Sequence, residues 1–191
     1  MDNLPSQILL QIVFILLNAF FAGSEIAFLS LNSVKLSKMA EGGDKTAARL
    51  LALVENPNRF LSAIQVAITL SGFLGAAFGT ENFSGYLTDF LVSLGTPIPA
   101  GVLGVFSMVV VTVVISFFSI AFGEMVPKRI AMQQPYAWAR AALGVVKGIS
   151  VLFAPMMILL DVTTNGSLRL LGLKTEAEDD AASEEDIRLM V

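Results

Sequence analysis

The stretch Ala100-Gly-Val-Leu-Gly-Val-Phe-Ser-Met-Val-Val-Val-Thr-Val-Val-Ile-Ser-Phe-Phe-Ser-Ile-Ala-Phe-Gly-Glu124 decides the fold. Residues 100–123 carry no charge, and about 20 apolar residues cross the hydrocarbon core of a bilayer as a helix. A second run, residues 8–31, is broken only by Gln11, Asn18, Gly23, Ser24, Glu25 and Ser30. Each run holds one carboxylate: Glu124 closes the first and Glu25 lies within the second. A carboxylate at membrane depth is costly and by default marks an ion or proton site. No other feature of the chain narrows its function as much.

The whole composition agrees. The chain is 55% hydrophobic and 15% charged, with a mean hydropathy of +0.75, where soluble domains have about 45–50% apolar and about 25% charged residues. It reads as an all-α integral membrane protein with a small polar tail. There is no Cys, so disulfides and thiolate metal sites are excluded. There is no His either, which removes the commonest transition-metal ligand. A bound metal must be held by oxygen, which suits hard cations such as Mg²⁺ or Ca²⁺. The net charge of −4 comes mainly from the C-terminal tail, and no nucleic-acid partner is expected. The N-terminus has no basic region and no small-residue cleavage site, so residue 8 onward reads as a retained span.

All twelve Lys and Arg fall in two zones, and none occurs in 1–34 or 60–127. Positive charge near span ends stays on the cytoplasmic side. Three transmembrane helices are therefore expected in the cell membrane: about 8–31 inward, 60–79 outward and 100–126 inward. This places the N-terminus outside, an external loop at 80–99 and a cytoplasmic C-terminus. Residues 138–173 read as short re-entrant or juxtamembrane helices facing the cytoplasm, because Lys147, Pro155 and Asp161 leave no clean span. A fourth, kinked span is the alternative. Segment 32–57 reads as a helical hairpin broken at Gly42-Gly43, with Asp44 capping a second helix whose Ala47, Leu50, Leu51 and Val54 share a face. Residues 176–186 hold seven acids and read as a solvated linker. A capping pattern at Ser183 then opens a helix that stops at Val191, as in a chain cut ahead of a further domain.

Three segments can carry chemistry. In Phe122-Gly-Glu-Met-Val-Pro-Lys-Arg, Pro127 has no N–H, so the Gly123 carbonyl loses its helical donor beside the Glu124 carboxylate. A freed carbonyl next to a carboxylate is half a site for a hard cation. The plainer reading is a proline kink with Glu124 paired to Lys128 at i+4. In Phe20-Phe-Ala-Gly-Ser-Glu-Ile-Ala-Phe, Ser24 and Glu25 offer oxygens at one depth; the plainer reading is close packing through Ala22, Gly23 and Ala27. In Ser62-Ala-Ile-Gln-Val-Ala-Ile-Thr-Leu-Ser-Gly, Gln65, Thr69 and Gly72 share a helix face and Ser71 adds a hydroxyl. These suit an ion path or, more plainly, interhelical hydrogen bonds. Gly75 and Gly79 permit close packing at a dimer interface or against another helix.

Together, Asn18-Ala-Phe-Phe-Ala-Gly-Ser-Glu-Ile-Ala, Asn56-Pro-Asn-Arg-Phe-Leu-Ser-Ala-Ile-Gln-Val-Ala-Ile-Thr-Leu and Gly123-Glu-Met-Val-Pro-Lys resemble the transmembrane domain of the CorC/CNNM (cyclin M) magnesium transporters. The resemblance covers about residues 8–175. It implies a domain at 1–175, and a linker at 176–191 leading into a cytosolic CBS-domain pair that is absent here. It further implies a homodimer in the lipid bilayer and Mg²⁺ held among the spans, with Na⁺ exchange as the driving force. Carried onto this sequence, the metal residues are Ser24, Glu25, Thr69, Ser71, Gly123 and Glu124. The competing function is a non-transporting Mg²⁺ sensor or scaffold that signals to a cytosolic module. An enzyme is a poor third, because a serine nucleophile here has no evident base.

Overall fold

The computed structural model describes residues 4–55 and 57–173, and all regular structure among them is helical. The order is α1 (Leu4–Leu29), α2 (Ser33–Glu41), α3 (Lys45–Val54), α4 (Pro57–Ser93), α5 (Ala100–Ile120), a π-helical turn (Ala121–Met125), α6 (Val126–Gln133), α7 (Pro135–Leu152) and α8 (Ala154–Leu170). Three helices are long and apolar enough to cross a membrane: Leu4–Leu29, Phe60–Ser93 and Ala100–Gln133. There are four if α7 and α8 together make one span. The acidic linker and the helix expected at 183–191 lie outside the described residues.

The first span matches its expectation; the second does not end where the sequence suggested. Residues 80–99 were expected as an external loop, yet α4 continues to Ser93 and only 94–99 connect it to α5. Tyr86, Leu87, Phe90 and Leu91 prolong the helical apolar pattern, and no strong breaker comes before Gly95, which takes φ +69. At 37 residues the helix is about 55 Å long, well beyond the roughly 30 Å hydrocarbon core. Its far end is tied to α1. Gln7 Nε2 donates to Asn82 Oδ1 at 3.0 Å and Tyr86 Oη donates to Gln7 Oε1 at 3.3 Å.

Helices α1 and α4 run antiparallel, and α5 closes the bundle against α4. Pairs along the α1–α4 seam fix its register. Phe28 meets Phe60 with ring centroids 5.1 Å apart, and a Cβ at Gly75 would sit 3.2 Å from Phe14 Cβ. A Cβ at Gly79 would collide with Ile115 of α5 and approach Gln11 Oε1 to 2.8 Å. Gly75 and Gly79 therefore serve packing within one subunit. The outer face of α5, including Val105, Phe106, Val109 and Phe117, is more than half exposed, which suits hydrocarbon rather than water.

The expected hairpin is present. Asp44 caps α3, accepting from the N–H groups of Thr46 (2.8 Å) and Ala47 (3.1 Å), while Ala47 and Leu50 are fully buried. Gly43, at φ +93, makes the turn. Tyr136 at the start of α7 donates to Asp44 Oδ2 at 2.8 Å. That hydrogen bond, then those from Ala47 and Thr46, holds the Asp44 carboxyl below its ordinary value. Pro57 is the first residue of α4, and Pro135 and Pro155 likewise sit in the first turns of α7 and α8. From Val151 the chain forms a second unit, whose described part is essentially α8.

Candidate cation site at the π turn

Pro127 sets the local backbone. It cannot donate four residues back to Gly123, and the hydrogen-bond pattern slips just ahead of it. Val126 N–H bonds to Ala121 O, five residues back, within the π turn. The helix continues through this turn from Ala100 to Gln133. The Gly123 carbonyl thus lacks its α-helical donor, as the sequence suggested. Gly123 is buried against α1, where a Cβ would lie 3.1 Å from Asn18 Nδ2 and 3.4 Å from Ile15 O. A side chain here would press on Asn18, so glycine eases the close approach of the π turn to α1.

Lys128, one turn on, joins the two intramembrane carboxylates. Its Nζ lies 2.8 Å from Glu124 Oε1 and 3.2 Å from Glu25 Oε2. The plainer expectation, a Glu124–Lys128 pair at i+4, is therefore met. The same ammonium also reaches across to α1 and brings Glu25 into the site. Two carboxylates and one ammonium leave the cluster at −1, and all three side chains are partly exposed, at 22–39%.

Of the other expected ligands, Ser24 is fully buried. Its Oγ donates to Phe20 O at 2.6 Å and accepts from Trp138 Nε1 at 3.3 Å. These two bonds use its O–H and one lone pair and leave one lone pair for a cation. Trp138 lies flush on Gly23, where a Cβ would collide with the indole. The small-residue packing of Ala22, Gly23 and Ala27 is thus also present. Ser71 is half-buried on the α4 stripe of Phe60, Ile64, Ala67 and Gly75 that faces α1, and the seam register places it level with Asn18. Thr69, two residues away and about 200° round the helix, is exposed on another side of α4. The fold brings Ser24, Glu25, Gly123 and Glu124 to one region, sets Ser71 toward it, and leaves Thr69 outside.

Three participants were not assigned from the sequence. Asn18 stood there only as a break in an apolar run, yet it is 6% exposed with its Oδ1 free of any protein partner. Trp138 comes from α7, 114 residues from Ser24; its signal was being the chain's one tryptophan. Lys128 entered only as a partner for Glu124. Among the described residues, no group of three or more Asp, Glu, His or Cys side chains could hold a metal. A cation here would take the two carboxylates, a neutral oxygen such as Gly123 O, and water. That set suits a hard ion that retains part of its hydration shell.

Comparison with known proteins places the chain in a family. The family described as Cyclin M transmembrane N-terminal domain matches residues 9–191. A UPF0053 protein of Synechocystis is 38% identical over 179 residues, covering 94% of this chain and 39% of the relative. The polyamine export protein of Haemophilus influenzae is 27% identical over 178 residues, covering 93% and 40%. The UPF0053 protein YhdT of Bacillus subtilis is 30% identical over 196 residues, covering 100% and 41%. The chain spans about two-fifths of the length of these relatives. The matched family is described as a transmembrane domain. This chain belongs to the cyclin M (CNNM/CorC) family, whose transmembrane domain it matches along nearly its whole length.

Proposed function

We propose that this domain carries Mg²⁺ across the cell membrane, in the export direction and coupled to Na⁺. The ion is held at membrane depth by Glu25, Glu124 and neutral oxygens beside them. One observation carries the reading: carboxylates from two different spans converge on one ammonium beside a π turn, where Pro127 denies the Gly123 carbonyl its α-helical donor. Negative charge with fixed neutral oxygens is what a hard divalent cation requires. Uptake of Mg²⁺ into liposomes containing this chain, with and without an opposing Na⁺ gradient, tests it. We expect Mg²⁺ flux that the Na⁺ gradient accelerates. Mg²⁺ binding without flux would instead support the sensor reading.

A second cargo has its own observation. The carboxylate pair already holds a primary ammonium, that of Lys128, and one relative is named a polyamine export protein. Spermidine in competition with Mg²⁺ in the same flux assay separates the two.

The proposal includes a homodimer with an external N-terminus, a cytoplasmic C-terminus and, in a longer chain, a CBS-domain pair after the linker. Gln65 and Thr69 are exposed on α4 at membrane depth, where lipid offers no hydrogen-bond partner and a second copy does. The lack of native cysteine allows one set of single-cysteine variants to test dimer and orientation together. Cysteine at 69 should form a disulfide between copies. Cysteine at 85, where added atoms meet nothing, should label from outside, and cysteine at the exposed position 45 should be protected in intact cells. The reverse labelling would overturn the orientation.

A further inference from the structure

Polar side chains recur along one face of α1. Gln11, Asn18 and Glu25 are spaced by seven residues, with Gln7 one turn before Gln11. Seven residues are nearly two whole helical turns, so the three lie in one row. From Gln7 to Glu25 the row is about 27 Å long, close to the roughly 30 Å hydrocarbon thickness. It faces the bundle. Gln7 bonds to Asn82 and Tyr86 of α4, Gln11 lies against Gly75 and Gly79 of α4, Asn18 lies against Gly123, and Glu25 meets Lys128. The residues between them, such as Ile12, Val13, Leu16 and Leu17, turn outward and are exposed.

Gln11 is the unusual member. It is 8% exposed, and neither Oε1 nor Nε2 has a protein partner. Asn18 Oδ1 is in the same condition. Buried amides in a membrane bundle usually hydrogen-bond to a neighbouring helix, and leaving them unpaired is costly. Leucine would fill the space beside two glycines without that cost. Helix association therefore does not explain Gln11. A ligand bringing both donors and acceptors does, and a partly hydrated cation is such a ligand: its coordinated waters donate to an amide oxygen, and neighbouring waters accept from the amide nitrogen.

We propose that the cargo crosses within a single subunit along the α1 seam, with Gln11 as a second, outer binding station for the hydrated cation. Fourteen residues, about 21 Å along the helix, separate it from the inner station at Glu25. Asn18, level with Ser71, is the step between them. The inference rests on the transport reading and assigns it a path that does not need the dimer interface.

The test compares wild type, Gln11→Leu and Gln11→Glu in liposomes, each measured for Mg²⁺ flux and for Mg²⁺ binding by calorimetric titration. Gln11→Leu keeps the volume and removes an unpaired amide, so folding should not suffer. We expect its flux to fall about tenfold or more, while binding at the inner site stays within about twofold of wild type. Gln11→Glu should add a second bound Mg²⁺ and slow flux, because a carboxylate holds the ion where an amide passes it on. Wild-type flux in Gln11→Leu, or no second ion in Gln11→Glu, would overturn the inference alone. A wild type that binds Mg²⁺ but carries no flux would overturn the transport reading, and the path with it.

Discussion

Glu124→Ala is expected to abolish Mg²⁺ binding while leaving a folded domain. The cluster of Glu25, Glu124 and Lys128 carries a net −1. Without Glu124, the remaining Glu25 and Lys128 neutralise each other and nothing draws a divalent ion in. We expect at least about a hundredfold loss of affinity, roughly 2.7 kcal/mol. The fold should survive because the Glu124 side chain is 39% exposed, and a partly solvated ion pair of this kind contributes little to stability. Glu124→Asp should weaken binding as well, since the carboxylate retreats by one methylene from a fixed carbonyl. Pro127→Ala isolates that carbonyl: it restores an N–H that can bond to Gly123 O and relax the π turn, lowering affinity without changing charge. Calorimetric Mg²⁺ titration of these variants decides the matter. Wild-type affinity in a folded Glu124→Ala protein would remove Glu124 from the site.

The sequence revealed the first and third apolar helices, because uncharged runs of bilayer length have few alternative readings. It also revealed the Asp44 cap and the carbonyl freed by Pro127, because both follow from chemistry within four residues. It was silent where tertiary contact decides. The end of α4 was misplaced because Glu81 and Asp89 looked like a loop. The helical pattern of Tyr86, Leu87, Phe90 and Leu91, and the bonds from Gln7, keep that segment helical. Thr69 and Ser71 could not be distinguished because α4 carries polar or small residues on both sides, Gln65 and Gly72 by Thr69 and Ala67 and Gly75 by Ser71. The register against α1 turns Ser71 inward and leaves Thr69 exposed. Asn18 and Gln11 passed as interruptions because an amide in an apolar run reads as an ordinary interhelical hydrogen bond, and only burial shows unpaired atoms on both. Trp138 required knowing that α7 returns to the C-terminal part of α1.

Lys128→Met is expected to tighten Mg²⁺ binding and to slow transport. The Lys128 ammonium sits 2.8 Å and 3.2 Å from the two carboxylates that a cargo ion would use. It is thus a tethered competitor, and an incoming Mg²⁺ must push it aside. Removing it changes the empty cluster from −1 to −2. At an effective dielectric near 20, a unit charge a few ångströms away is worth about 4 kcal/mol before hydration and relaxation are counted. Only part of that survives as affinity, and about tenfold tightening is a conservative expectation. Transport should move the opposite way. When the cargo leaves, Lys128 takes its place and neutralises a carboxylate pair that would otherwise hold the ion, so a methionine there should prolong occupancy and lower turnover. Methionine keeps most of the aliphatic stem, which limits the packing change. Lys128→Arg separates charge from geometry: it retains the competitor and should leave affinity near wild type. If Lys128 instead holds the two carboxylates in a productive arrangement, Lys128→Met will bind Mg²⁺ more weakly than wild type. That result, in a protein with an unchanged melting temperature, would refute the exchange of lysine for cargo.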